Sequence, residues 1–250
     1  MYILVKPSGS KLWQFKYRMH GKERLLSVGQ DSDVSPAQAR KAKEVARAQV
    51  AEGIDPSEAK QEAKAIAFGA LLRDVDAFEG QATTRIGLQL LALTAQRPGE
   101  IRHAKWEEFD FQEKIWSLPA SKMKMRRDHN VPLPDQAIAL LDELRMITGN
   151  GEYLFPSLRS WQRPMSENTL NAALRRMGYS GEEMTAHGFR ASFSTLANES
   201  GLWNPDAIEA ALAHVERNEV RKAYSRGLYW DERVKLADWW ARFSCELKAA

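Results

Sequence analysis

Apolar and polar positions repeat at two different periods along this chain, and the change from one to the other divides it. In residues 12–20, Trp13, Phe15, Tyr17 and Met19 alternate with Gln14, Lys16, Arg18 and His20. A period of two predicts a strand with one buried face and one basic-polar face. Residues 2–6 and 24–28 read as flanking strands, with P-S-G-S and Gly21-Lys22 as the turns, so the pattern predicts a three-stranded antiparallel sheet. Ser35-Pro36-Ala37-Gln38 is a capping box with proline at the first helical position. It predicts a helix to Glu52, with Gly53 just beyond its end. Asp55-Pro56-Ser57-Glu58 repeats the start signal and leads into E-A-K-Q-E-A-K-A, a charged, alanine-rich stretch that reads as a helical connector. A domain boundary is expected near residue 65.

From Ala67 onward the spacing is helical. Leu71, Leu72 and Val75 form one stripe, and residues 86–93 form a long apolar run. That run ends at T-A-Q-R-P-G-E-I-R, where Pro98 can open a new helix and Arg97 sits at the junction. Two strands, 115–118 and 129–133, flank the basic segment K-M-K-M-R-R-D-H. Ala137, Leu140, Leu141 and Leu144 mark another helix, closed by Y-L-F-P at 153–156. Further helices are expected at 168–177, 186–199, 205–213 and 231–243. The fold class is therefore mainly α with small antiparallel sheets (α+β). Residues 1–65 form an N-terminal three-stranded sheet plus helices, and 66–250 a helical domain with one small sheet.

Composition narrows the function classes only slightly. The chain has 250 residues, 44% hydrophobic and 28% charged, as in ordinary globular proteins. No apolar run approaches about 18 residues, so no membrane span is expected. The start, M-Y-I-L-V-K-P, has no basic region followed by a long apolar one, and no secretory signal is expected. The one cysteine, Cys245, excludes an internal disulfide and a multi-cysteine zinc site. A cytoplasmic location is the expectation. A net charge of +3 is compatible with nucleic acid without pointing to it.

The informative polar residues sit at junctions: Arg97, Lys124, His187, Arg190, His214 and Tyr224. Two guanidiniums can grip a phosphate in fork geometry and stay charged at any working pH. Two imidazoles can donate hydrogen bonds or move protons near neutrality. A lysine can act as general acid and a tyrosine oxygen as nucleophile. Paired carboxylates, a P-loop and Gly-x-Ser-x-Gly are all missing, so metal-free attack on a phosphodiester is the reaction this set suits. Each residue also has an ordinary reading. Arg190 lies three residues after His187 and can simply share its helix face. His214 can cap a helix end, Tyr224 can pack, and Lys124 can belong to a charged hairpin tip. Lys16 and Arg18 on the strand face are candidate DNA contacts, as are Lys122, Arg126 and Arg127 of the basic segment.

In order and type these residues resemble the tyrosine recombinases, specifically the phage-type integrases of prophages and genomic islands. T-A-Q-R-P-G-E-I carries Arg97, Lys124 lies eight residues before Pro132, H-G-F-R gives His187 and Arg190, L-A-H gives His214, and A-Y-S-R gives Tyr224. The resemblance implies that Tyr224 attacks the scissile phosphate to form a 3′-phosphotyrosyl link and release a 5′-hydroxyl. It implies that Arg97 and Arg190 stabilise the phosphorane charge and that Lys124 protonates the leaving oxygen. His187 would assist proton transfer, His214 would hydrogen-bond the phosphate, and Glu100 would support Arg97. It implies no cofactor and no metal. The implied partner is double-stranded DNA at attachment sites, bound by a homo-tetramer and associated with the nucleoid.

L-V-K-P-S-G-S-K-L-W-Q-F-K-Y-R and G-I-D-P-S-E resemble the arm-type DNA-binding module that precedes the recombinase core. The chain departs from the family pattern where A-K-Q-E-A-K-A runs almost directly into F-G-A-L-L-R-D-V-D, which leaves no room for a helical core-binding domain. Two alternatives therefore stay open: a catalytically impaired DNA-binding remnant, and a strand transferase like the type IB topoisomerases. The apolar stripe of 231–243 either docks on a neighbouring copy or packs on its own domain.

Overall fold

The computed structural model of the chain describes residues 1–6, 9–123, 126–213 and 229–250. The chain divides into two units, Met1–Ile66 and Ala67–Ala250. In the first, β1 (Tyr2–Val5), β2 (Lys11–Met19) and β3 (Lys22–Gln30) form an antiparallel sheet in that order. The β2–β3 turn lies at His20 (φ 47°) and Gly21 (φ 76°), one residue earlier than the sequence suggests. A two-residue hairpin of this hand needs positive φ at both central positions, which His20 and Gly21 supply and Lys22 does not.

The alternation along β2 holds for buried Phe15, Tyr17 and Met19 against exposed Lys16 and Arg18. It fails at Trp13 and Gln14. There Trp13 pairs with Gly29 and Gln14 with Ser27, so Val28 is an extra residue in β3 and Gln14 is buried. Such a bulge breaks the two-residue period locally.

Helix α1 (Pro36–Ala51) starts as the capping box dictates: Gln38 N donates to Ser35 Oγ at 3.3 Å and Ser35 N to Gln38 Oε1 at 2.8 Å. Its Ala46 joins Phe15, Tyr17, Met19 and Leu26 in the unit's core. The Tyr17 hydroxyl donates to Asp55, which also accepts from Ser57 N at 2.8 Å and pairs with Arg24 at 2.6 Å. Burial pushes the Tyr17 phenol up, and its bond to Asp55 adds to this. For Asp55, burial pushes upward, but the Tyr17 hydroxyl and the Ser57 and Glu58 amides outweigh it and the carboxyl stays below its usual range. Asp55 also caps the next helix, α2 (Pro56–Asp76), by accepting those amides. The expected connector is therefore part of one helix with the Leu71–Val75 stripe. No glycine or proline interrupts it between Pro56 and Gly69.

In the second unit, α3 (Ala82–Thr94) is the central helix, with Ile86, Leu88, Leu90 and Leu91 fully buried. It is apolar almost all round because it is enclosed by α5 (Asp135–Thr148), α6 (Thr169–Arg176), α7 (Gly188–Glu199) and α9 (Trp230–Ala249). The short α4 (Pro98–Arg102) follows α3, and α8 (Pro205–Ala211) follows α7. One sheet is β4 (Phe109–Asp110), β5 (Ile115–Leu118) and β6 (His129–Pro132). A second, unanticipated hairpin pairs β7 (Pro156–Ser157) with β8 (Ser160–Pro164). The apolar stripe of α9 is used within its own unit. Trp240 is fully buried, donates to Ala92 O at 2.8 Å, and meets Phe193 edge-on at 5.1 Å. Gly69 makes room for this helix, since a Cβ there would lie 2.3 Å from Leu247 O. Among the described residues, no helix is long and apolar enough to cross a membrane.

Candidate functional site

Arg97 stands where α3 gives way to α4. The turn is made by Ala95, whose φ of 52° is left-handed and ends α3, and by Pro98, which opens α4 with Arg97 as its N-cap. Glu100 then reaches back. It accepts from Arg97 N at 2.8 Å and from Arg97 Nη1 at 2.7 Å, and its side chain is only 4% exposed. One buried carboxylate thus fixes both the backbone and the guanidinium of Arg97, whose side chain remains 23% exposed.

Arg190, on the first turn of α7, is buried and arrives at the same place from nearly a hundred residues later. Its Nη1 donates to Ala95 O at 3.0 Å and its Nη2 to Leu212 O. Burial pushes its pKa down to about 10, and the neighbouring Arg97 guanidinium pushes the same way, partly offset by Glu100 and Glu209. Arg190 remains charged at neutral pH. Two guanidiniums are therefore held in mutual repulsion, and binding an anion relieves it.

His187 is exposed and occupies the N-cap position of α7. The residue before it is pinned by a bond from Ala186 N to Asn171 Oδ1 at 2.8 Å. The loop between β5 and β6 is closed by Ala120 N donating to Asp128 Oδ1 at 2.8 Å, and it carries Arg126 and Arg127 exposed. Lys122 is turned inward instead: it donates to His103 O at 2.7 Å and pairs with the buried Glu108. Lys16 is exposed and pairs with Glu23 at 2.7 Å, while Arg18 is exposed beside it on β2. Lys124, His214 and Tyr224 lie outside the described residues.

Three residues that sequence reasoning passed over belong to this site. Gln96, almost fully buried, donates to Thr94 O at 2.9 Å and to Ala211 O at 3.2 Å. His129 is buried at the start of β6, and its Nε2 has no hydrogen-bond partner. Burial, and then the positive field of Arg233, Arg190 and Arg97, pushes the His129 pKa down to about 3, so the ring is neutral. Arg233 on α9 is buried, donates to Asn130 O, and is pushed down to about 10 by burial. Among the described residues, no three His, Cys, Asp or Glu side chains are placed to hold a metal ion.

The model of the phage integrase family matches residues 67–229, and that of the arm DNA-binding domain matches residues 1–63. The chain belongs to the phage integrase family. Among its relatives is the prophage integrase IntA of Escherichia coli (strain K12), 46% identical over 159 residues, which are 64% of this chain and 38% of IntA. The strain K12 protein IntB is 27% identical over 373 aligned positions, covering 97% of this chain and 94% of IntB. A 250-residue chain cannot fill 373 positions, so well over a hundred positions of IntB have no counterpart here. The chain spans less than half the length of two relatives, 38% of IntA and 43% of the integrase of Enterobacteria phage P4. Among solved structures, the integrase from mycobacterium phage Brujita shares the fold, with TM-score 0.54 and 16% identity over 72% of this chain and 61% of that one. The two family matches adjoin, with only residues 64–66 between them.

Proposed function

We propose that this phage integrase family member is a site-specific DNA recombinase that breaks and rejoins DNA through a 3′-phosphotyrosyl intermediate, without metal or ATP. The observation that carries this reading is the pair of guanidiniums, Arg97 and Arg190, brought together from distant elements and braced by Glu100 and the Ala95 carbonyl. Such a pair, fixed before substrate arrives, suits the charge that builds on a phosphorane. In this reading Tyr224 Oη attacks the scissile phosphorus, and a P–O bond to tyrosine replaces the bond to the 5′-oxygen. Lys124 gives a proton to that leaving oxygen, and His187 takes the tyrosine proton. His214 hydrogen-bonds the phosphate, and attack by a partner 5′-hydroxyl reverses each step.

Residues 1–65 are assigned as the arm-type DNA-binding module and 66–250 as the catalytic domain. Lys16 and Arg18 face arm DNA, and Arg126 and Arg127 face the duplex near the scissile phosphate. Double-stranded attachment-site DNA is the partner, with a homo-tetramer on paired sites as the working assembly. A nicked suicide duplex carrying the attachment site tests the reading. A covalent complex with the wild-type chain that is lost in Tyr224→Phe supports it. Measurable, salt-dependent binding without any complex selects the second reading, a DNA-binding remnant.

A further inference from the structure

Backbone groups in a loop have no helix or ladder to bond to and must find partners elsewhere. Residues 179–186, which lead into His187, carry no helix or strand. Part of this loop closes on itself: Met184 N donates to Ser180 O at 3.1 Å, and Ser180 N to the Glu183 carboxylate at 2.8 Å. Two side chains one turn apart on α6 hold the rest. Arg175 donates to Tyr179 O at 2.5 Å from Nη1 and to Met184 O from Nη2, bridging the two ends of that turn. Asn171 Oδ1 accepts from Ala186 N at 2.8 Å, and Ala186 is buried. Residues four apart on a helix share a face, so one side of α6 grips the whole segment. The last of these bonds lies one residue before His187, the N-cap of α7, whose first turn also carries Arg190. Gly188 adds to the fit, since a Cβ there would lie 2.6 Å from Met184 Sδ.

We infer that Asn171 and Arg175 are positioning residues that fix where α7 begins and so place His187 for proton transfer. The inference rests on the recombinase reading above, in which His187 takes the tyrosine proton. A proton acceptor works only within hydrogen-bond reach of its donor, so the entry of α7 has to be set closely. His187 is exposed, and the backbone beside it therefore carries much of that precision. Arg190, by contrast, is buried and held by the Ala95 and Leu212 carbonyls, so it keeps its place when the loop shifts. The residue types suit the task. The asparagine oxygen is an acceptor for a buried N–H, and the planar arginine fork reaches two carbonyls at once, which a lysine ammonium matches poorly.

The test is single-turnover formation of the covalent complex on the suicide duplex, measured with duplex affinity on the full chain, in wild-type and His187→Ala backgrounds. Asn171→Leu keeps the volume and removes the acceptor. It is expected to slow the wild-type reaction about 100-fold, as a small misplacement of a reacting group does, while affinity stays within about twofold. In the His187→Ala chain there is no imidazole to misplace, and the same substitution should slow the residual reaction less than about threefold, because effects through one group do not add. Asn171→Asp retains an acceptor oxygen and should stay within about threefold of wild type. Arg175→Lys keeps the charge and loses the two-carbonyl bridge. It is expected to slow adduct formation about tenfold, again only where His187 is present, and it decides the matter if Asn171→Leu does not fold. The inference is overturned if the Asn171→Leu and Arg175→Lys chains react at the wild-type rate, or if Asn171→Asp is as slow as Asn171→Leu. It is equally overturned if the substitutions slow both backgrounds alike, because that marks a purely structural role. No adduct from the wild-type chain removes the recombinase reading and this inference together. A normal wild-type adduct with no slowing that depends on His187 removes this inference alone.

Discussion

Lowering the pH from 7.5 to 5 should destabilise the Ala67–Ala250 unit by about 2 kcal/mol through His129 alone. In the unfolded chain this imidazole titrates near its ordinary 6.5, whereas in the fold burial and the Arg233 guanidinium hold it down to about 3. A base whose folded pKa is depressed contributes its stability in full above the unfolded value. That stability drains away as pH falls from about 6.5 toward about 3, because only the unfolded chain takes up the proton. At pH 5 the unfolded ring lies about 1.5 units below its midpoint, and at about 1.4 kcal/mol per unit the loss is about 2 kcal/mol. The depressed carboxyl of Glu183 acts in the same direction but only below its ordinary 4.5, outside this window. Urea unfolding followed by tryptophan fluorescence suits the assay, since seven of the eight tryptophans lie beyond residue 66. His129→Gln cannot titrate, and its loss between pH 7.5 and 5 should be smaller than wild type by that same amount. Identical losses in the two proteins would refute the assignment of a buried, neutral His129.

Other parts of the fold make independent predictions. Trp240→Ala removes a fully buried indole and its bond to Ala92 O, and should cost about 3–5 kcal/mol in urea unfolding of the C-terminal unit. A loss below about 1 kcal/mol would mean that α9 is not packed as described. Lys16→Ala and Arg18→Ala should each lower the slope of log binding constant against log salt by about one on arm-site DNA. An unchanged slope would take that face of β2 out of the interface.

Where a local rule governs the backbone, the residues announce it. Ser35 and Gln38 cap each other in sequence as in space, and Pro98 after Arg97 marks a helix junction that chain-local chemistry alone sets. The bulge opposite Trp13 is silent, because an extra residue in β3 changes the partner strand and leaves no trace in β2 beyond a polar Gln14. The β7–β8 hairpin is equally silent: its strands are short, rich in proline and half-buried or exposed, with no buried face to impose a period. The start of α2 is legible, and the change from charged to apolar composition near residue 65, where a domain boundary is expected, falls at the division between the two units inside that one helix. A helix crossing from one environment to another changes its face without changing its backbone.

Of the catalytic candidates, Arg97 and Arg190 stand out in the sequence as arginines at helix junctions and meet in the fold, while Lys124, His214 and Tyr224 lie outside the described residues, and Glu100 was suggested by the family resemblance alone. Gln96, His129 and Arg233 do not stand out. Each looks like an ordinary polar residue; Gln96 meets the end of α8, Arg233 meets β6, and His129 is buried in the field of three arginines. Periodicity reports which face a residue occupies and says nothing of what it meets there. Lys122 makes the complementary point. Its neighbours in sequence make it one of a basic run, yet Glu108 and the His103 carbonyl take its charge inward.

The central claim, that Tyr224 becomes covalently joined to DNA, is tested most directly by locating the bond. The trapped wild-type complex would be digested with protease and nuclease and the modified peptide sequenced by mass spectrometry. The account predicts a nucleotide 3′-phosphate on the Tyr224 side chain, with a free 5′-hydroxyl on the released strand. A link at any other residue, or a phosphate left on the 5′ end, would contradict it.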